Sequence, residues 1–270
     1  AIAAHQIVTD PGLYDNQPAF DDQGGFYFTS ETAGSQTDIH YRNPAGEVRN
    51  VSVLVGIGVD QDGYRHILGV QEGHKEDKSG WGSFLEHLKS RGLKGVRMII
   101  SDACMGLSES AAEYFPEADW QRCTVHFYRN VFSHVPRAKM PQVSAMLKAI
   151  HAQESREAAQ DKAVKVVESL RAMRLQKAAD LVERCIDETL GFYSYPQTHW
   201  LKIRTNNPLE RIMREIRRRT RVVGAFPDGE SAVMLVGARL RHIASTKWGT
   251  RKYMSMDWLR QQDMETQQSA

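Results

Sequence analysis

Cysteine is scarce in this sequence: Cys104, Cys123 and Cys185 are the only three in 270 residues. An odd, small number offers no disulfide framework and points to a reducing cytoplasm. Apolar runs are short, and none approaches the roughly 20 residues that span a bilayer, so no membrane partner is expected. The N-terminal AIAAHQIVTDPGLYDN lacks the basic-then-apolar pattern of a secretion signal. Net charge is nearly absent as well, at +2, and by itself it favours no class of partner.

What is present is an ordinary globular composition, 41% hydrophobic and 25% charged, long enough for one large domain or two small ones. Positive charge gathers in the last third. Residues 1–37 are rich in Gly, Asp, Gln, Ser and Thr, and predict a poorly ordered or unrelated leader. Order is expected to begin at TDIHYRN (37–43). PAGE then reads as a turn, VRNVSVLVGIGV (48–59) as a mostly buried strand, DQDG (60–63) as a second turn and YRHILGV (64–70) as a third strand. Tight turns between consecutive strands predict an antiparallel meander.

The periodicity then changes. WGSFLEHLKSRG (81–92) predicts a helix with a glycine stop, and VRMIISD (96–102) a short buried strand ending on Asp102. MGLSESAAEYFP (105–116) predicts a helix, and WQRCTVHFYRNV (120–131) a strand running into a helix. That order of elements suits an α/β fold with an RNase H-like core, a mixed sheet flanked by helices. Residues 137–190 are helical throughout and carry no convincing repeat. The expected domains are a first core part at 38–136, an all-helical insertion at 137–200, C-terminal core helices at 201–250 and a frayed tail at 251–270.

Two acids and one basic helix carry the candidate chemistry. Asp102 ends a hydrophobic strand, where a carboxylate reaches a metal or a phosphate, although an aspartate there also suits the cap of the next helix. In TNNPLERIMREIRRRTRVVG (205–224), six arginines (Arg211, Arg214, Arg217, Arg218, Arg219 and Arg221) fall within eleven residues. Arginine's planar fork grips phosphate, so this helix suits a nucleic-acid backbone better than a merely solvated face. Asn207 before Pro208 predicts the N-cap, with Glu210 at the capping-box position. At 100° per residue Leu209, Ile212, Met213 and Ile216 form the buried stripe. Glu210 flanks it beside Arg214, Arg217 and Arg221, whereas Glu215, between Arg211 and Arg219, is placed as an ion-pair residue. Cys123 and His126 have the spacing of a zinc half-site, but only His134 and Cys104 are near enough to complete it, and a packed strand end is the plainer reading.

SDACMGLSESAAEYFPEADWQRCTVHFYRNVFSHVPR (101–137) and TNNPLERIMREIRRRTRVVGAFPDGESAVMLVGARLRH (205–242) resemble the signature stretches of the mutator-type family of bacterial insertion-sequence transposases, and the likeness runs over residues 38–255. It implies a DNA transposase with an RNase H-like core and an Asp-Asp-Glu triad holding Mg²⁺ or Mn²⁺. Carried over motif by motif, the triad is Asp38, Asp102 and Glu210, with Cys123 and His126 supporting it. Arg211, Arg214, Arg217, Arg218 and Arg221 would face DNA. Asp60 is the alternative first acid, but DQDG reads as a turn. The spacing from Asp38 to PAGE is about two residues shorter than the family's, and polar ETAGSQ stands where a hydrophobic lead-in is expected.

The resemblance further implies double-stranded DNA as partner (transposon ends and target), a homo-oligomer on that DNA, and a bacterial cytoplasm at the nucleoid. The family's N-terminal end-binding region has no counterpart in residues 1–37, which predicts a shortened chain. The competing reading is an inactive transposase remnant that binds DNA or a full-length copy. A stand-alone RNase H-like nuclease is a third.

Overall fold

The computed structural model describes residues 19–20, 26–32, 36–42, 48–73, 78–223 and 229–268. Five strands open the chain: β1 (Ala19–Phe20), β2 (Phe26–Thr32), β3 (Gln36–Arg42), β4 (Val48–Val59) and β5 (Arg65–Gly73). Then come α1 (Lys78–Ser90), β6 (Met98–Ser101), α2 (Met105–Tyr114), β7 (Asp119–Arg122) and α3 (Thr124–Phe132). The remainder is helical: α4 (Met140–Ile150), α5 (Arg156–Ala172), α6 (Gln176–Cys185), α7 (Gln197–Ile203), α8 (Asn207–Val223), α9 (Gly229–Ser245), α10 (Lys247–Thr250) and α11 (Asp257–Gln268). They form two compact units. One comprises residues 1–60, 64–76 and 209–253, the other 61–63, 77–208 and 254–270.

In the first unit β1 to β5 form one antiparallel sheet in chain order. The predicted meander is there. Val48–Val59 runs antiparallel to β5, with a bulge between Gly56 and Ile57. The DQDG turn is closed by Asp60, whose N–H donates to the Tyr64 carbonyl and whose Oδ1 accepts the Tyr64 N–H, both at 2.9 Å. Gly63 takes φ +87°, which a β-branched or bulky residue would resist. PAGE lies outside the described residues. On one side of the sheet pack Ile212 and Ile216 of α8 and Val236 and Leu240 of α9, against Val55. Each pair is spaced four apart, so each helix turns one stripe inward. Burying side chains of this size stabilises by about 1.5–3 kcal/mol apiece.

Two expectations differ here. The stretch before residue 37 is predicted to be irregular, yet it supplies β1 and β2, and β2 pairs with β3 over seven residues, Phe26 to Thr32 against Gln36 to Arg42. A strand has two edges. With β2 on one side of β3 and β4 on the other, β6 and β7 pair in parallel as a separate two-stranded sheet. The α/β class stands, while the described residues hold an antiparallel sheet and a parallel pair instead of one mixed sheet.

The second unit places α2 between β6 and β7, the crossover that parallel strands require. Helix α1 buries Phe84, Leu85 and Leu88 and packs on α2. The chain after it turns on Gly92 at φ +98°, where the glycine stop is predicted. The helical stretch has its own core, in which Phe127 and Val131 of α3 meet Val143, Leu147 and Ile150 of α4, Ala163 and Leu170 of α5, and Ala178 and Val182 of α6. The C-terminal tail is not frayed through residue 268. Leu259 of α11 is buried, Arg260 reaches the Gln61 carbonyl at 2.7 Å, and Asp263 pairs with Arg97 at 2.6 Å.

One glycine has a packing reason. A Cβ on Gly249 would overlap the Ala244 carbonyl oxygen and stand 3.0 Å from its carbon. Backbone atoms at a helix junction cannot step aside as a side chain would. Gly249→Ala is expected to lower unfolding free energy by about 1–3 kcal/mol, read as a lower urea midpoint. An unchanged midpoint would mean that the α9–α10 junction yields.

Candidate functional site

Asp102 follows β6 directly, at the carboxyl end of a parallel pair. Ser101 before it is buried, and is held by the Trp120 indole, which donates to Ser101 Oγ at 2.9 Å, and by the Cys123 N–H, which donates to its carbonyl at 2.7 Å. The Asp102 side chain itself is exposed. It does not cap α2: the cap position is Cys104, with no side-chain hydrogen bond. Among the described residues no hydrogen bond or ion pair engages the Asp102 carboxylate, so the capping role that competes for it is not taken up.

The four residues from Gln121 to Thr124 each bind chain returning from the helical stretch. Buried Gln121 donates from Nε2 to the Thr189 carbonyl and accepts the Phe192 N–H at Oε1, both at 2.9 Å. Arg122, with 5% of its side chain exposed, pairs with Glu188 at 2.7 Å. Cys123 is fully buried, and its sulfur accepts the Asn206 N–H at 3.4 Å. The Thr124 N–H donates to the Arg204 carbonyl at 3.0 Å. Burial opposes ionisation of the Cys123 thiol, but hydrogen bonds from the His126 ring and from the Asn206 and His126 backbone outweigh it and bring the thiol below its ordinary range. Cys123 and His126 therefore interact, as their spacing suggests. Among the described residues no group of three or more His, Cys, Asp or Glu is placed to hold a metal ion.

Helix α8 carries Glu210 in its first turn. It begins at Asn207, one residue before the expected start, which puts Asn206 ahead of it and Glu210 four residues after Asn206. The Asn206 side-chain oxygen is buried and accepts no hydrogen bond. Glu215 does what its flank predicts: Arg219 is a partner as expected, and Arg218 and Arg239 join it. Arg218 grips it in bidentate fashion (Nε to Oε2 at 3.1 Å, Nη2 to Oε1 at 3.0 Å), Arg219 lies at 3.6 Å, and Arg239 of α9 adds a further contact to Oε1. Arg211, Arg214 and Arg217 are exposed, and no ion pair occupies them among the described residues. The Arg221 side chain lies outside the described set. So does that of Asp38, whose backbone sits in β3 opposite Ser30.

The Arg218 and Arg239 guanidinium groups hold the Glu215 carboxyl at about 2, below the usual 4.5. A depressed carboxyl stabilises the folded state above its unfolded value and loses that contribution as pH falls through its folded one. Between pH 4.5 and 2 the wild-type melting temperature should therefore fall more steeply than that of Glu215→Gln. Parallel curves would show that the cluster adds no stability.

The profile described as Transposase, Mutator family, matches residues 36–249. The chain belongs to that family. It is 38% identical over 218 residues to the transposase for insertion sequence element ISRM5 of Rhizobium meliloti, covering 80% of this chain and 54% of that protein. It is 37% identical over 215 residues to the transposase for insertion sequence element IS1081 of Mycobacterium tuberculosis, covering 80% and 52%. Against the transposase for IS256 in transposon Tn4001 of Staphylococcus aureus, identity is 30% over 226 residues, covering 82% and 57%. The chain spans about half the length of these relatives.

Within this Mutator-family chain the sequence reading misses three residues that shape the candidate site. Arg239 joins Glu215 from a helix 24 positions on, with no periodic signal to announce it. Gln121 and Glu188 meet residues 66 to 71 positions away. The one hint is a Gln-Arg pair inside a short strand that is otherwise set to be buried, since buried polar groups need partners.

Proposed function

We propose that this chain carries the chemistry of an insertion-sequence transposase: divalent-metal-dependent cleavage of DNA at transposon ends and joining of those ends to target DNA. The observation that carries it is the Asp102 carboxylate, exposed at the carboxyl end of β6 and unused by α2, in a chain whose family is that of transposases. Asp38, Asp102 and Glu210 are the acids we assign. Oxygen donors of this kind are what Mg²⁺ takes, so the donor chemistry fits the ion. A bound metal supplies polarisation of the scissile phosphate and activation of the attacking oxygen. Asp102 and Glu210 are the residues assigned to hold it, and Arg211, Arg214 and Arg217 those assigned to bind DNA phosphates. The element order, meander, helix, strand, helix, strand, supports an RNase H-like core, and a working complex on two transposon ends calls for more than one copy.

The test is nicking of DNA that carries the element's ends, with and without Mg²⁺ or Mn²⁺. Binding without any metal-dependent nick would favour the inactive DNA-binding reading. The arginines separate by salt. Each phosphate contact removed lowers the slope of log affinity against log salt by roughly 0.9. Replacing Arg214 and Arg217 by alanine should flatten it by about twice that, whereas Arg218→Ala, already engaged by Glu215, should leave it nearly unchanged. Equal effects from all three would erase the distinction.

A further inference from the structure

Arg65, the first residue of β5, holds its guanidinium between two rings, 4.7 Å from the centroid of Trp248 on α10 and 4.7 Å from that of Tyr253. We infer that this stacked arginine, together with exposed Arg251, which lies between the two aromatics in the chain, is a further contact for DNA phosphate, outside the arginine helix. All four residues belong to one compact unit, the one that also holds Arg211, Arg214 and Arg217. The inference deepens the proposed reading of DNA as partner and rests on it.

The rings fix the guanidinium without neutralising it. Trp248 is itself seated firmly: the Thr246 hydroxyl accepts its backbone N–H at 3.2 Å, and its side chain packs on the core of Val55, Ile216 and Leu240. Rings on the faces of a guanidinium leave the donors on its edge for an anion. The Arg65 Nε is buried with no hydrogen bond, and among the described residues no carboxylate pairs with the group. Burial is the main cause that lowers its pKa, and the like charge of Arg251 adds to the effect. Burial raises the pKa of the Tyr253 phenol, and the charges of Arg65 and Arg211 pull against it. Three arginines thus act around these rings, and Arg211 joins them to the run on α8. An arginine between two rings is ordinarily a clip that holds two segments together. What distinguishes this one is its company. No Asp or Glu occurs from residue 231 to 256, while Lys247, Arg251 and Lys252 crowd into the same stretch. Like charges gathered without an acid repel one another, and a polyanion relieves that repulsion.

The test measures binding of duplex DNA carrying the element's ends to the full chain, across a series of NaCl concentrations and without divalent metal. Arg65→Gln and Arg251→Ala should each lower the slope of log affinity against log salt by roughly 0.9, and together by about twice that. Arg65→Lys keeps the charge and loses the fork, so it should keep the slope and weaken binding severalfold at every salt. Lys165→Ala removes an exposed cation from α5, in the other unit, and should change neither. Arg251 is exposed, so its substitution reads the contact even where Arg65→Gln lowers the urea midpoint. An unchanged slope in either Arg65→Gln or Arg251→Ala overturns the inference. A slope lowered as much in Arg65→Lys as in Arg65→Gln makes the stack a structural clip and overturns it too. So does an equal loss in Lys165→Ala, which would reflect total charge instead of a site. A wild-type chain that binds no DNA overturns the proposed partner along with this contact, whereas normal binding with unaltered slopes overturns this contact alone.

Discussion

Asp102→Asn and Glu210→Gln should each lower metal-dependent nicking by roughly 10³-fold, while DNA binding stays within a few-fold of wild type. The size follows from what a carboxylate does at a phosphoryl-transfer site. It holds a cation whose stabilisation of the transition state is several kcal/mol, and each 1.36 kcal/mol is a factor of ten. The isosteric amides keep volume and remove charge, so folding should be nearly untouched at Asp102, whose side chain is exposed and whose strand contact, with Ser101 Oγ, is made by the backbone carbonyl. Asp102 is the cleaner test for that reason. Glu215→Gln is the internal control: it removes an acid from the same helix as Glu210, but one already held by Arg218 and Arg239. Nicking measured on the three variants at saturating Mg²⁺ should order them as two losses and one near-neutral change. If Asp102→Asn and Glu210→Gln both nick normally, the assignment of these acids is wrong. If Glu215→Gln loses as much as either, the two glutamates of α8 have been given each other's roles.

The parts of the molecule that could be read from sequence are those where the signal is local. β4 has the bounds the pattern predicts, because alternating valines and a DQDG turn specify a hairpin without help from elsewhere. α9, from Gly229 to Ser245, likewise falls within the stretch 201–250 where core helices are expected, on an apolar spacing that suits a helix. β2 is different. Phe26, Tyr27 and Phe28 are strong strand formers, but they sit among Gly, Asp, Gln and Ser, and the average over residues 1–37 hides them. What decides the matter is the free edge of β3, a tertiary fact. α11 is similar: a polar helix kept in place by buried Leu259 and by Arg260 and Asp263 reaching residues far back in the chain. At the candidate site the same division holds. The Asp102 strand end and the two flanks of α8 are periodicity arguments, and Glu215 does enter ion pairs. The contacts of Gln121, Arg122 and Cys123 with residues 188–206 are not, since nothing in a window of ten residues encodes a partner 66 to 83 positions away.

Acid should weaken the helical core through one histidine. His151 closes α4 and is buried at 3% exposure, within ring contacts of Phe127, Tyr128 and Phe192. Both of its nitrogens are partnered, Nδ1 with the Tyr128 hydroxyl at 2.9 Å and Nε2 with Thr189 Oγ1 at 2.7 Å. Neither partner is an acid, and Arg204, whose guanidinium donates to the His151 carbonyl at 3.2 Å, is a cation that further disfavours the imidazolium. Desolvation is the main cause that pushes the imidazole down to about 4 from the usual 6.5. With the folded value below the unfolded one, protons bind the unfolded chain first as pH falls. Stability is therefore whole above pH 6.5, is lost between 6.5 and 4, and changes no further through this group below 4. At 1.36 kcal/mol per unit the loss is on the order of 3 kcal/mol, enough to remove a large part of a domain's margin. Unfolding free energies measured from pH 7 to pH 4 should show that drop in wild type and a much flatter profile in His151→Gln. The comparison isolates His151 from the other nine histidines, which titrate in both chains. Profiles that coincide would mean that water reaches the ring, and that the tight cluster around Phe192 opens in acid without cost.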